Sequence, residues 1–331
     1  MTVPRVGLAL PTFTGALAVS GEAARLRAVA ERAEALGFTG LWVAEHLLRA
    51  PLIYRVSFLS PLSVLAHVAA CTRRIRLGTA ILVLPLRDPV LLAKELATLD
   101  LLAAGRLVLG IGTGWDAHEF ESCRVPLRER ASRTDEALAL LRRLLTEENV
   151  TFTGRHFDVR DVSIDPRPAR FPEVWVGGGS KMADPDAADL PAMAPSVLAR
   201  IRREADVWIT RPTDQALIVN DIVQVQGACA GRPRPLRMGH FNFLHVVDTD
   251  DREKALRIQR AEFEGIMGTH RPLAALEACY LMGTPGEMVE KLGRLLRAGV
   301  TEFILGPLTS DVAQLELVAA LVVRPLAARE A

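Results

Sequence analysis

Along the chain, short continuous apolar runs alternate with longer stretches whose apolar residues recur every three or four positions. The runs read as strands buried on both faces, and the periodic stretches as helices with one face in a core. RVGLALP (5–11) is the first strand. SGEAARLRAVAERAEALG follows as a helix, with Ser20 as its N-cap and Gly37 as its stop. GLWVAEH (40–46) predicts the second strand, and Ser60-Pro61 opens the next helix. IRLGTAILVLP (75–85) predicts one continuous third strand, with a helix from Asp88-Pro89 to Gly105 behind it. RLVLGIG (106–112) is the fourth strand and RASRTDEALALLRRLL (130–145) its helix. The rhythm breaks at 149–172, which alternates like a small β excursion and ends in a proline-rich turn. VWVGGGS (174–180), DVWIT (206–210), LRMGHFNFLHVV (236–247) and TEFILG (301–306) complete the strands. Helices are predicted at APSVLARIRREA, at 214–227, at DREKALRIQRAEFEGIM, after the capping box Thr284-Pro285-Gly286-Glu287, and at 311–323.

Eight strands alternating with helices match a closed (β/α)8 TIM barrel, an α/β fold of about 250 residues before insertions. The surplus falls in the excursion after the fourth helix and in loops at 47–60, 181–195 and 265–283. No linker-like stretch divides the chain, so residues 1–331 are expected to form a single domain. A formal charge of +1 gives no electrostatic reason to expect nucleic acid or an anionic membrane as partner. No apolar stretch approaches the roughly 18 residues of a membrane span, and the N-terminus reads as a strand, not a signal peptide. The expected location is cytoplasmic. Cys71, Cys123, Cys229 and Cys279 form no CxxC and no zinc-finger spacing, so they read as reduced, buried small hydrophobes. The histidines show no ligand spacing, and no metal is expected.

The candidate chemistry gathers at strand ends. GIGTGWDAHEFE (110–121) resembles a dinucleotide-binding turn only superficially. That fingerprint needs GxGxxG after the first strand and an acid about 20 positions on, at a second strand end. Here Trp115 takes the place of the last glycine, the motif follows the fourth strand, and 130–140 is helical. What remains is a flexible loop on the C-terminal rim of a barrel, where such barrels place ligands. Strand two ends in Glu45-His46 on the same rim. Strand five ends in Gly177-Gly178-Gly179-Ser180, which lets backbone N–H groups approach a phosphate and adds a hydroxyl. Trp42, Trp175 and Trp208 sit within strands and read as core; Trp115 does not.

These segments together resemble the bacterial luciferase-like flavin-dependent oxidoreductases. The resemblance rests on GLWVAEH, on RRIRLGTAILVLPLRDPVLLAKELATLDLLAAGRLVLGIGTGW (73–115), on PEVWVGGGS (172–180), on VVDTDDREKA (246–255), and on MGTPGEMVEKL with AGVTEFILG. It implies a (β/α)8 barrel, often a homodimer, that binds reduced FMN or the deazaflavin F420 at the rim. It places His46 close to the cofactor ring as the catalytic candidate, with Glu45 and Glu119 as weaker candidates for proton handling. It aligns Ala80–Ile81 with a non-prolyl cis peptide behind the ring, and Gly112, Thr113, Gly114 and Trp115 with the ring's surroundings. Gly177, Gly178, Gly179 and Ser180 fall on the phosphate loop, although KMADPDAADLPAMAPS intervenes before the next helix. The favoured expectation is an FMN-dependent monooxygenase using O2 and a separate flavin reductase on a small organic substrate. The alternative is an F420-dependent oxidoreductase that transfers hydride without O2; a non-catalytic flavin-binding barrel ranks below both.

Overall fold

The computed structural model describes residues 3–14, 21–49, 54–181 and 190–329. Its centre is a closed parallel barrel of β1 (Arg5–Ala9), β2 (Gly40–Val43), β3 (Arg76–Thr79), β4 (Leu107–Gly112), β5 (Glu173–Gly177), β6 (Val207–Thr210), β7 (Arg237–Leu244) and β8 (Val300–Pro307). Each strand pairs with the next. The ring closes through β8 on β1, with Phe303 opposite Val6, and through β4 on β5, with Gly110 opposite Trp175. Outside lie α1 (Glu22–Leu36), α2 (Pro61–Ala69), α3 (Pro89–Leu102), α4 (Arg130–Thr146), α5 (Pro195–Glu204), α6 (Gln215–Ala228), α7 (Pro285–Arg297) and α8 (Val312–Val318). Two further helices, Arg252–Met267 and Leu273–Cys279, separate β7 from α7.

The local signals explain these elements. Asp88 caps α3 by accepting from the Val90 and Leu91 amides, and Thr284 and Glu287 form the reciprocal capping box of α7. Leu8, Leu41, Leu77, Leu109 and Val207 are fully buried because both faces of a barrel strand are covered. Inside the barrel the Trp42 and Trp175 rings lie 4.2 Å apart. They fit because Gly7 and Gly78 face them: a Cβ at either position would come within 2.3 Å of the Trp42 ring. At the N-terminal mouth, buried Glu302 pairs with Arg5 (3.4 Å), Arg76 (2.9 Å) and Arg237. Glu302→Ala should cost about 2 kcal/mol, read as a lower urea midpoint, because it leaves Glu173 as the remaining carboxylate beside the partly buried Arg76 and Arg237 guanidiniums.

Several boundaries differ from the sequence expectation. The third strand is not continuous. It stops at Thr79, passes through a cis Ala80–Ile81 peptide and resumes only at Leu82–Val83. The Thr79 hydroxyl substitutes for the backbone ladder there, donating to Gly110 O (2.6 Å) and accepting from Gly110 N–H (3.0 Å). An unbroken apolar run carries no mark of such a break. Strand two ends at Val43, so Glu45 and His46 lie in the loop beyond it. The stretch after GTGW forms a short helix, Ala117–Ser122, and part of the 265–283 loop is the helix Leu273–Cys279. Phe13–Thr14 and Ser57–Phe58 pair as a small antiparallel ribbon over the rim. The 149–172 excursion is the hairpin Val150–Thr153 and Asp158–Val162. Ser20 and most of the 181–195 loop lie outside the described residues. Among the described residues, no helix is long and apolar enough to cross a membrane.

Candidate active site

The rim is organised around His46. Beyond β4, the Asp116 carboxylate accepts from the His118 amide (2.9 Å) and starts the helix Ala117–Ser122. Glu119, one residue on, is thereby turned back toward the β2 loop. Its Oε1 accepts from the amides of Leu47 (2.8 Å) and Leu48 (3.2 Å) and lies 3.3 Å from His46 Nδ1. Burial pushes the Glu119 carboxyl up, but the His46 hydrogen bond and the two amides outweigh it and hold the group below its ordinary range. A carboxylate only accepts, so the ring nitrogen facing it carries the hydrogen. Nε2 is then the nitrogen left to take or give a proton.

Aromatic rings enclose the imidazole. Tyr54, Phe58 and Trp115 have their centroids 5.2, 5.3 and 5.5 Å from it. The wall continues from Phe58 through Phe13 to Phe243 and Tyr280, whose hydroxyl accepts from Arg271 (2.7 Å). Desolvation in this partly buried wall pushes the Tyr54 phenol up and keeps it neutral. Trp115, by contrast, is 52% exposed and stands at the entrance.

The floor is built from β3, β4 and β5. Ile81, just past the cis bond, lies over Gly112 and Gly177, where a Cβ would approach its side chain to 2.5 and 2.9 Å. Only glycine at both positions leaves room for that side chain. Glu45 does not face His46's partner. Its Oε2 accepts from the Val83 amide (2.6 Å) and its Oε1 pairs with Arg87, which pins the segment after the cis peptide. Thr113 and Gly114 are half-buried along the loop, Gly114 at φ +70°.

At the end of β5, Gly178 packs toward Val197 near the start of α5, and Ser180 is 3% exposed, its hydroxyl unpartnered among the described residues. A buried hydroxyl without a partner points to a ligand or water that completes it. Glycines that admit close backbone approach, an orphan hydroxyl and a shaped apolar floor fit a phosphate-bearing planar cofactor.

The structure therefore brings His46, Glu119 and Trp115 together, groups Ile81 with Gly112 and Gly177, and sets Glu45 aside as a loop anchor. Sequence reasoning missed Tyr54 and Phe58, which fall in the 47–60 stretch, where the sequence shows no periodicity. It also missed Asp221, whose signal was present: Leu217, Ile218, Asp221, Ile222 and Val225 form the buried stripe of α6, and a carboxylate stands within it.

A family-wide comparison matches residues 4–302 to the luciferase-like monooxygenases. The chain belongs to that family. Its barrel is the TIM-barrel fold of the structures it resembles. An F420-dependent glucose-6-phosphate dehydrogenase of Kineococcus radiotolerans is 36% identical over 165 residues, 47% of each protein. The chain spans less than half the length of several curated relatives it matches, this one included. An FMNH(2)-dependent dimethylsulfone monooxygenase of Pseudomonas fluorescens is 28% identical over 76% of this chain and 67% of that one. Among solved structures, the monooxygenase RslO1 from Streptomyces bottropensis superposes with a TM-score of 0.76 at 22% identity, covering 97% of this chain and 99% of that one. An F420-dependent secondary alcohol dehydrogenase gives 0.78 at 18% identity, over 98% and 99%. These last two likenesses establish the fold. Both cofactor classes thus occur among luciferase-like relatives.

Proposed function

We propose that this luciferase-like protein exchanges hydride between a deazaflavin of the F420 type and a small organic substrate, with the His46–Glu119 pair handling the accompanying proton. This reverses the order in which the sequence resemblance ranks the two cofactors. The observation that carries it is the pair itself. Glu119 is a fixed carboxylate on Nδ1 of His46, an arrangement that orients an imidazole to accept a proton at Nε2 as hydride leaves the substrate, and to return it in the reverse direction. A bound deazaflavin supplies a carbon that accepts or donates hydride. Glu45 keeps the segment after Ile81 in place, and Ile81 supports the floor above Gly112 and Gly177. The aromatic wall of Tyr54, Phe58 and Phe13 presents apolar surface to the substrate and limits water near His46.

That same wall favours the second reading, a monooxygenase using reduced FMN and O2, because such chemistry depends on excluding water. The relatives named above are consistent with either. Anaerobic turnover assays with F420 and aerobic assays with reduced FMN, across a panel of small alcohols, carbonyls and sulfur compounds, separate them. F420 reduction or oxidation without O2 uptake supports the first reading. Substrate oxygenation coupled to O2 uptake sinks it.

The phosphate loop yields its own expectation. Ser180→Ala should weaken cofactor binding by about 1.5–3 kcal/mol, the worth of one hydrogen bond to a charged acceptor. It should leave the melting temperature of the free protein unchanged, because the hydroxyl has no partner among the described residues to lose. Gly178→Val should weaken binding further by filling the space against Val197. Fluorescence titration of both variants checks this; parental affinities would move the phosphate elsewhere.

A further inference from the structure

We infer that Asp221 makes the GGGS loop selective for a cofactor phosphate bearing one negative charge, a phosphodiester, over the doubly charged phosphate monoester of FMN. This rests on the reading of the rim as a flavin-type site and specifies which member of that class it takes.

Asp221 is 3% exposed in the buried stripe of α6. Its Oδ2 accepts from the Ser180 amide (3.0 Å) and lies 2.8 Å from where a Cβ on Gly179 would be. Among the described residues its Oδ1 has no partner, and neither does the Ser180 hydroxyl. Two consequences follow from elementary electrostatics. The Ser180 N–H, which an anion-binding loop would offer to phosphate, is already committed to a carboxylate. An anion docked on this loop also sits close to a buried negative charge that water screens poorly. A guanidinium stands nearby as countercharge: Arg211, just past β6, donates to Ser180 O (2.8 Å) and is itself exposed. Lys181, next along the chain, is exposed as well. One carboxylate against the loop offsets much of what Arg211 offers. A monoester phosphate carries between about 1.5 and 2 charges at neutral pH, a diester only one. The repulsion therefore grows with the extra charge, and the diester is the species the loop tolerates.

Asp221→Asn is the direct test, because Asn keeps an acceptor for the Ser180 amide and removes the charge. Riboflavin, FMN and F420 are titrated against the full-length parent and the variant by fluorescence, with circular dichroism as the check on folding. Riboflavin lacks the phosphate and reports the ring pocket alone. The parent should bind FMN no more than about threefold tighter than riboflavin. In the variant that ratio should rise by roughly tenfold or more, the scale of one buried charge interaction. Riboflavin should be unchanged and F420 should gain less than FMN. An unchanged FMN-to-riboflavin ratio in a folded variant overturns the inference. Should the variant fail to fold, the parent alone decides, since FMN binding a hundredfold or more tighter than riboflavin overturns it equally. If the ratio shifts as expected while F420 does not bind, the charge selection stands and the deazaflavin reading falls. A parent that binds none of the three overturns both.

Discussion

His46→Asn is expected to lower turnover by at least about a hundredfold while leaving fold and cofactor affinity close to those of the parent. A positioned acid–base group is typically worth about 10² to 10⁴ in rate. The imidazole has one nitrogen tied to Glu119 and, among the described residues, no hydrogen-bond partner for the other. Asn has a comparable reach and can still donate to the carboxylate, so the loop anchored by Leu47 and Leu48 survives. What it lacks is a ring nitrogen that can accept a proton and return it. The loss should appear in kcat with little change in KM, and should shrink at a pH where solution base replaces the residue. In the monooxygenase reading the same variant should release more peroxide per reduced flavin consumed. Near-parental turnover would reduce His46 to a wall residue and direct attention to Glu119.

Glu119→Ala is expected to combine a stability loss of about 2–4 kcal/mol with a fall in turnover of roughly tenfold to a hundredfold. One buried oxygen serves three donors: two amides and His46 Nδ1. Removing it leaves buried donors unpaired, at about 1–3 kcal/mol for each that water cannot reach. It also frees the imidazole to choose the wrong tautomer. Glu119→Gln separates the two effects, because it retains an acceptor for the amides and loses the charge. The pH dependence has a definite sign. The folded Glu119 carboxyl lies below its ordinary value of 4.5, so its contribution is fully present above that value and is lost as pH falls through the lowered one. Urea midpoints of the parent should therefore drop more steeply below about pH 4.5 than those of Glu119→Gln. Parallel curves would mean that the carboxylate contributes no charge-dependent stability.

Much of the architecture was legible along the chain because barrel strands, covered on both faces, must be apolar throughout. VWIT, TEFILG and RVGLA announce themselves that way, and the caps at Asp88 and Thr284 fix where helices begin. The rim positions of His46, GTGW and GGGS followed from the same logic, since each comes just after a strand. Glu119 was legible as a residue but not as a partner. Seventy-three positions separate it from His46, and only the Asp116 cap and the short helix it starts turn it inward.

Other features depended wholly on the closed barrel. IRLGTAILVLP looks uniform, and its break at Ala80–Ile81 is defined by Thr79 bonding across to β4 and by Gly112 and Gly177 yielding space from two other strands. Glu45 and His46 are adjacent in sequence and alike in polarity, yet one is tied to Val83 and Arg87 and the other faces the aromatic wall. Asp221 occupied a position where helical periodicity demanded an apolar side chain, and only its contact with Ser180 gives that exception a meaning. The chain by itself determined the repeating βα units, their number and the rim on which chemistry gathers, because burial and capping act over a few residues at a time. The choice of which carboxylate anchors a loop, which orients His46 and which sets the charge beside the phosphate loop was made only by barrel closure. Those roles depend on distances between segments far apart in sequence, and a linear pattern contains no such distances.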